Sequence, residues 1–306
     1  MPELPEVETL KNSLSPILKQ ANIRSCQLIR TDILSYQDVD GLKPMSLDQA
    51  CCLFNNQQIL SLYRRGKYIL IECKSGWLVA HMRMTGKLLI FPGALTPQSS
   101  DLPKHTHVLF HLEKTIHSQI HRYTLAFNDV RRFGSLIWIS GRQPPDTILP
   151  DLGIEPLSAD FNGNYLYRQS RRHAQLKVKS LLLNQTVIAG LGNIYADEVL
   201  FAGRVHPLRL SKSLRQWECD DLVIQIKRIL QAAIDAGGTS FRDYMDANQK
   251  RGRYLLKLNV YGRSGQGCKH CGHALKKVTV GGRSTVYCPH CQPRRPMPKS
   301  AYQKKG

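Results

Sequence analysis

The chain has 306 residues, 42% of them hydrophobic, enough for buried cores and for about two domains. Lysine and arginine number 43 against 23 acidic residues, a formal net charge of +20. This excess favours a polyanionic partner, most often nucleic acid, although ribosomal and anionic-membrane proteins carry a similar balance. No run of about 18 apolar residues and no basic, apolar leader is present. The sequence therefore predicts a cytosolic protein with no membrane partner. In a bacterium the cytosol includes the nucleoid.

The predicted elements begin with a helix over residues 5 to about 19, where apolar side chains recur at helical spacing. Pro5 suits a first helical turn, and the early glutamates suit the positive end of a helix. From about 21 to 140, short β-rich runs alternate with turn-prone stretches, a rhythm typical of a sandwich or barrel. The proline-rich stretch 141–153 predicts a domain boundary.

After about residue 155 the pattern becomes helical. Turn signals in NQTVIAGLGN separate two of the candidate helices, which predicts a helix, two turns and a helix. Residues 237–253 are predicted to form a long mobile loop, and the basic, proline-rich C-terminus is predicted to be disordered. The candidate helices are 160–172, 174–184, 193–203 and 213–236.

Four of the nine cysteines have the spacing of a metal site. They read CKHC and CPHC, in the pattern C-x2-C-x16-C-x2-C of a tetrathiolate zinc site: Cys268, Cys271, Cys288 and Cys291. This segment is too short and polar to fold on a core of its own, so zinc is expected to supply folding energy. Two disulfides are the alternative, disfavoured in the cytosol. Three neighbouring histidines are further candidate ligands: His270, His273 and His290.

The opening MPELPEVETL raises a question of chemistry. If Met1 is removed, Pro2 presents a secondary amine at the N-terminus. N-terminal amines have pKa values of roughly 7.7–8.0, so a useful fraction is uncharged near neutral pH. Such an amine can attack a carbonyl-level carbon and form a Schiff base. Glu3 can then protonate a leaving sugar oxygen, and Glu6, one turn along, can orient the amine or move protons. The alternative is that these glutamates only stabilise a helix N-terminus.

Three predicted hairpin tips combine basic, aromatic and apolar residues. YRRGKY carries Lys67, HMRMTG carries Met84, and NDVRRFG carries Arg131 and Phe133. Aromatic and apolar side chains at such tips can wedge into a base stack. The alternatives are that the basic residues are ordinary solvated hairpin charges and that Met84 lies in the core. GLGN, which ends at Asn193, precedes the next predicted helix, whose free backbone N–H groups can hold a phosphate; an ordinary helix cap is the alternative. An enzyme that flips a nucleotide from DNA and attacks its sugar needs all of these features.

Taken in chain order, these segments resemble the bacterial formamidopyrimidine-DNA glycosylases, also called 8-oxoguanine DNA glycosylase/AP lyases. The resemblance is collinear from residue 2 to about 291. PELPEVET and GLGNIYADE are its most specific motifs, and RRGKYIL, HMRMTG, KHTH, RRFG, LGIEPL and VYGR accompany them. It implies an α+β multidomain fold. The implied parts are an N-terminal β-sandwich with an N-terminal helix at 2–145, a helix–two-turns–helix domain at 150–253, a zinc-finger hairpin at 254–292 and a basic disordered tail at 293–306.

The resemblance implies a role for each matching residue. Pro2 would attack C1′ of the damaged nucleoside, Glu3 would donate a proton to the sugar ring oxygen, and Glu6 would support the site. Lys67 would contact the lesion and its phosphate and take part in proton transfer. The implied DNA contacts are Met84, Arg131 and Phe133 in the gap left by the flipped base, and His105, Lys177, Asn193 and Arg283 on the backbone. Glu198 would support the helical domain, and the loop near 238–254 would cover an everted 8-oxoguanine.

The implied activity is base-excision repair of oxidised purines in duplex DNA. Loss of the base would be followed by β- and δ-elimination, which cut the strand on both sides. The implied partner is damaged double-stranded DNA, the implied cofactor is one structural zinc ion with no organic cofactor, and the implied state is a monomer at the bacterial nucleoid.

Two departures from the family pattern stand out. Val130 replaces the usual proline before Arg131, which predicts a less rigid tip, and the basic tail 293–306 is expected to add nonspecific DNA affinity.

Three other functions stay open. The related endonuclease VIII class prefers oxidised pyrimidines, but it begins with PEGPE and lacks the RRFG loop. A zinc-containing DNA-binding protein that has lost catalysis would have no need of Pro2, Glu3, Glu6 and Lys67. A ribosomal or other RNA-binding protein fits the charge and the zinc pattern and leaves the first eight residues unexplained.

Overall fold

The computed structural model describes residues 2–142, 147–149, 151–239 and 252–294. The chain divides into two compact units, Met1–Pro150 with Ala236–Leu255, and Asp151–Asp235 with Leu256–Gly306. The α+β multidomain fold class is confirmed, with strands dominating the first unit and helices the second. The stretch 236–255 groups with the first unit, whereas the sequence places most of it at the end of the helical domain.

The first unit begins with helix α1, Leu4–Leu18, close to the predicted span. Its buried face is apolar at helical spacing and includes Leu10, Leu14 and Leu18. A second short helix, α2 (Leu47–Phe54), starts at a capping box in which Gln49 N–H donates to Ser46 Oγ. Both helices contribute to the core of the sheet described next.

The strands of the first unit form a ten-stranded sheet in the order β3-β2-β10-β6-β5-β4-β1-β8-β9-β7. All described pairings are antiparallel except the parallel pair β10–β2. The two halves of the sheet meet at the short pairing of β1 with β4. The strands are β1 Asn22–Leu28, β2 Leu34–Asp38, β3 Gly41–Pro44, β4 Gln57–Arg65, β5 Tyr68–Cys73, β6 Gly76–His81, β7 Lys87–Pro92, β8 Thr106–Ile116, β9 Gln119–Asn128 and β10 Ser135–Ser140.

One buried cluster joins both halves of the sheet, which folds over on itself as the predicted sandwich does. Phe54 of α2 contacts Phe110 of β8 and Trp138 of β10 edge-on, at ring-centroid distances of 5.1 and 5.2 Å. Truncating Phe54 to alanine would cost about 3–5 kcal/mol of stability. This core supports the turns and loops that carry the candidate site.

The second unit contains four α-helices and a β-hairpin in its described residues. The helices are α3 Gly163–Arg172, α4 Val178–Leu183, α5 Asn193–Ala202 and α6 Gln216–Asp235, and the strands are β11 Lys276–Val280 and β12 Arg283–Tyr287. Between α4 and α5 the chain makes two turns, and the Gln185 side chain accepts a hydrogen bond from Gly190 N–H at 2.9 Å. This confirms the helix, two turns and helix. Across the described ranges, no helix is both long and apolar enough to span a bilayer.

Candidate active site

Three of the predicted catalytic residues lie together at the start of α1. Pro2, Glu3 and Glu6 are buried, and Glu3 is the N-cap residue of the helix. The Glu6 carboxylate accepts a hydrogen bond from Glu3 N–H at 2.9 Å on one oxygen. Its other oxygen accepts one from Thr239 N–H at 2.7 Å. Glu6 therefore fixes the backbone of the N-terminus to a segment 233 residues away.

The segment that Glu6 holds leads into the predicted lesion-covering loop. Gly238 has φ +80°, and a Cβ there would lie 3.1 Å from the Glu6 side chain, so glycine permits this close approach. The chain returns alongside, with Arg253 N–H donating to Ala236 C=O at 2.9 Å. Both ends of the loop predicted at 238–254 thus lie beside the start of α1. Residues 240–251 are outside the described part of the chain.

Lys67 is positioned by the turn between β4 and β5, and only 8% of it is exposed. Arg64, near the end of β4, donates to Glu8 of α1 at 2.7 Å and to Gly66 C=O of the turn at 3.1 Å. Burial raises the pKa of Glu8, but its contacts with Lys11 and Arg64 outweigh burial and hold that pKa below its usual value. The turn that carries Lys67 is therefore tied to the helix that carries Pro2 and Glu3.

His81, the first residue of HMRMTG, is a neighbour of Lys67 that sequence reasoning did not select. Its ring lies 4.3 Å from that of Tyr68, and its Nδ1 accepts a hydrogen bond from Arg83 N–H at 3.1 Å. Burial, with the positive charges of Arg83 and Lys67, lowers the pKa of His81 to about 4. The imidazole is therefore neutral at physiological pH, with its proton on Nε2. Its place at the start of HMRMTG, close to Arg83, was the available signal.

The sequence predicted hairpin tips at HMRMTG and NDVRRFG, and this is wrong, because in the described sheet β6 is not paired with β7 and β9 is not paired with β10. Both segments are loops between strands that do not pair with each other, and they present large side chains to solvent. Met84 is 42% exposed and Phe133 is 56% exposed, so neither belongs to the core. The Arg131 guanidinium lies over the Phe133 ring, 4.8 Å from its centroid. His105, also exposed, accepts a hydrogen bond at its carbonyl from Asp129 N–H at 3.0 Å, which links it to the turn of Arg131. The first unit therefore brings together Met84, Arg131, Phe133 and His105 as a group of exposed tips.

The remaining predicted DNA contacts lie in the second unit. Asn193 begins α5, and its side-chain amide donates to Ser284 C=O at 3.0 Å. Arg283, next to Ser284, is exposed and starts β12 after a Gly-Gly turn. Lys177, exposed at the N-cap of α4, lines a cleft of about 370 Å³ with Arg209 and Arg294. Asn193 and Arg283 are thus neighbours, while Lys177 lies in a separate basic cleft.

The β11–β12 hairpin is attached to the helices by buried carboxylates of α5. Asp197 lies 2.6 Å from Lys179 of α4, and both side chains are fully buried. Asp197 also accepts a hydrogen bond from Val286 N–H of β12 at 3.0 Å. Glu198 accepts backbone N–H bonds from Asn259, Val260 and Tyr261 at 2.8–3.0 Å. Glu198 therefore holds the segment that precedes the hairpin in place.

The four predicted zinc ligands converge on one point. The sulfur atoms of Cys268, Cys271, Cys288 and Cys291 all lie within 4.8 Å of one another. Three of the Sγ–Sγ distances are 3.4, 3.5 and 3.9 Å. They are close to the value of about 3.8 Å expected for four thiolates placed tetrahedrally around zinc at Zn–S bonds of about 2.3 Å. The described cysteines are all free, so the disulfide alternative is wrong. His273 and His290 stack on each other, 4.5 Å apart, and are exposed, whereas Cys268 and Cys288 are buried and Cys271 and Cys291 are half-buried.

Comparison with known protein families assigns all three parts of the chain. The model of the formamidopyrimidine-DNA glycosylase N-terminal domain matches residues 1–136, and that of the H2TH domain of the same enzyme matches 152–245. A zinc finger found in FPG and IleRS matches 265–294. Formamidopyrimidine-DNA glycosylase of Pectobacterium atrosepticum is 37% identical over 280 residues, covering 89% of this chain and 92% of that protein. The enzyme of Desulforamulus reducens is 40% identical, covering 90% and 93%.

Solved structures of similar fold are complexes with damaged DNA. A Lactococcus lactis FPG mutant bound to Fapy-dG containing DNA superimposes with a TM-score of 0.80 at 33% identity, covering 95% of this chain and 100% of that one. MutM bound to carbocyclic 8-oxo-G containing DNA gives 0.79 at 32% identity, with the same coverage. Wild-type Lactococcus lactis FPG bound to an oxidized pyrimidine containing DNA also gives 0.79 at 32% identity and that coverage.

Proposed function

This chain belongs to the formamidopyrimidine-DNA glycosylase family, and we propose that Pro2, Glu3 and Lys67 perform its chemistry on oxidised purines in duplex DNA. The protein is a base-excision repair glycosylase with AP lyase activity. The observation that carries the residue assignment is the arrangement around α1. Pro2 and Glu3 come directly before α1. The helix binds Thr239, at the start of the predicted lesion-covering loop, through Glu6, and it binds the Lys67 turn through the pair of Glu8 with Arg64.

In the proposed mechanism, Met1 is removed and the amine of Pro2 attacks C1′ of the damaged nucleoside. The bond between C1′ and the base breaks, and Glu3 donates a proton to the ring oxygen as the sugar opens. The resulting iminium acidifies the neighbouring sugar protons, so β- and then δ-elimination release the two phosphates. Glu6 keeps the amine in position because both of its oxygens are bound to backbone N–H groups.

Lys67 and the second unit are proposed to hold the DNA. Lys67 is largely buried next to His81, so its ammonium is directed by the protein and suits a phosphate and a lesion base. Asn193 and Arg283 lie side by side and suit adjacent phosphates, and Lys177 suits a backbone contact in its own cleft. We propose that Met84, Arg131 and Phe133 fill the gap left by the flipped nucleotide.

The four cysteines fit a structural zinc ion, which folds the hairpin that carries Arg283 and takes no part in the chemical steps. The partner is damaged duplex DNA, and the protein acts as a monomer. The bacterial nucleoid is the proposed cellular location, since the substrate is chromosomal DNA and the relatives are bacterial.

Borohydride trapping tests the proposal directly. Untagged protein is mixed with a duplex that carries one 8-oxoguanine opposite cytosine, borohydride is added, and the adduct is located by peptide mass. The expected result is one covalent adduct on Pro2, because borohydride reduces the iminium to a stable amine. An adduct on a lysine, or none while excision proceeds, contradicts the assignment of Pro2.

Two N-terminal variants form a matched pair. Pro2→Gly keeps an amine at the N-terminus and should keep part of the trapping, whereas one extra residue before Pro2 converts the amine to an amide and should abolish it. An inactive DNA-binding protein would be indifferent to both changes.

A parallel duplex with an oxidised pyrimidine distinguishes the endonuclease VIII-like alternative, which predicts faster excision of the pyrimidine.

A further inference from the structure

Asp129, at the end of β9, is a fully buried carboxylate that has no role in the proposed chemistry. Its Oδ1 accepts hydrogen bonds from the Thr85 hydroxyl and from Arg131 N–H, the latter at 3.1 Å. Its Oδ2 accepts one from Gly134 N–H at 2.7 Å. One carboxylate therefore closes the Arg131–Gly134 turn and binds the neighbouring turn, in which Thr85 follows Met84.

The backbone of Asp129 extends this network to a third loop. Its N–H donates to His105 C=O at 3.0 Å, and its C=O lies 2.8 Å from His107 Nε2. Thr85 contributes a second contact, because its hydroxyl oxygen also accepts a hydrogen bond from Arg131 N–H at 3.3 Å. Three separate segments of the first unit are thus joined at Asp129.

The packing below the turn leaves little room for adjustment. A Cβ on Gly134 would lie 2.8 Å from the Phe127 ring and 3.0 Å from Asp129 Oδ2. Val130, at the position where the family resemblance predicts proline, is 57% exposed and does not brace the turn. The shape of this tip is therefore set by the hydrogen bonds to Asp129.

We propose that Asp129 and Thr85 are positioning residues that hold Met84, Arg131 and Phe133 in one fixed arrangement, so that the three side chains enter the DNA together. The inference rests on the proposed gap-filling role of these three residues. Exposed side chains lose conformational entropy when they are ordered by DNA, and a scaffold that orders them beforehand lowers that cost. Hydrogen bonds to a buried carboxylate are of the strong, charge-assisted kind, as such a scaffold requires.

Thr85→Val tests the proposal, because it removes the hydroxyl and nearly keeps the shape of the side chain. We expect single-turnover excision of 8-oxoguanine opposite cytosine to slow on the order of tenfold, as for loss of one hydrogen bond to a charged group. Cleavage at a preformed abasic site should change less than about twofold, because no base must be extruded there. Thr85→Ser, which keeps the hydroxyl, should restore most of the rate. Thr115→Val, at an exposed strand position, is the control.

Amide hydrogen exchange provides a readout that needs no activity. Loss of the Thr85 hydroxyl should speed exchange of the Arg131 and Gly134 amides, while the amides of the core strands keep their protection. Unchanged exchange at these two amides would overturn the proposal, and so would equal slowing of both reactions. If the wild type fails to excise 8-oxoguanine, the proposed function fails, and the exchange experiment still decides whether Asp129 and Thr85 hold the tips.

Discussion

Replacing Lys179 by methionine should destabilise the second unit strongly. Lys179 Nζ lies 2.6 Å from Asp197 and donates to Ser284 C=O at 3.1 Å and to the Thr285 hydroxyl at 2.8 Å. Without the ammonium, Asp197 is a buried carboxylate whose described hydrogen bond comes from Val286 N–H. Breaking a buried pair from one side costs about 3–5 kcal/mol. For cooperative unfolding of a chain this long, the midpoint of thermal unfolding should fall by roughly 5–8 °C.

The loss should depend on pH in a defined direction. Burial raises the pKa of Asp197 to about 6, against the lowering effect of Lys179. An acid whose pKa is raised by folding contributes stability at low pH, and this contribution is lost as the pH rises through the folded-state pKa. Removing Lys179 raises that pKa further. The stability gap between Lys179→Met and the wild type should therefore shrink as the pH falls from about 7.5 to about 5.5.

Urea and thermal unfolding with zinc in excess measure both effects. Lys276→Met, at an exposed position of β11, is the matched control and should change stability by less than about 0.5 kcal/mol. Adding Asp197→Asn to Lys179→Met should recover part of the loss, because the unpaired charge is gone. A loss below about 1 kcal/mol at neutral pH, or a gap that widens on acidification, would refute this reasoning.

Four further predictions concern the zinc hairpin and the active site. Cys271→Ala should unfold the zinc segment and weaken DNA binding while the sheet stays folded; circular dichroism and a binding titration check this, and unchanged affinity would contradict it. Phe133→Ala should slow excision of 8-oxoguanine more than cleavage at an abasic site, whereas equal slowing would count against a wedge. Arg64→Met should release the Lys67 turn and lower the rate of base removal several-fold, and it should also lower the midpoint of thermal unfolding, since the Arg64 pair with Glu8 is largely buried. His81→Asn should reduce the loss of stability between about pH 6.5 and pH 4, because burial lowers the pKa of His81 and its protonation opposes folding.

Local features of the site were predictable because the relevant residues are close in the chain. The apolar period predicted α1 within one residue at each end. The cysteine spacing predicted the zinc ligands, since each pair sits on one short turn and four thiolates complete a tetrahedron. The exposed positions of Met84 and Phe133 agree with the turn signals in the sequence, but the strands that flank each of these turns do not pair as a hairpin.

The contacts that position these groups could not be predicted in the same way. The Glu6 carboxylate meets a backbone N–H 233 residues away, and Lys179 meets Thr285 across 106 residues. Asp129 reads in the sequence as an ordinary turn residue before Val130, and His81 as one member of a strand. Their roles depend on which loops the sheet brings side by side.

The sequence by itself therefore determined the kind of protein: its charge, its zinc ligands, its helix and strand pattern, and the motifs of its family. Helical periodicity and ligand spacing follow from bond geometry over a few residues, so they are visible in the chain itself. The tertiary structure alone decided how the N-terminus of α1, the Lys67 turn and the exposed tips are held. Those contacts join segments that are distant in the chain, and burial, which makes their hydrogen bonds strong and raises or lowers their pKa values, exists only after folding.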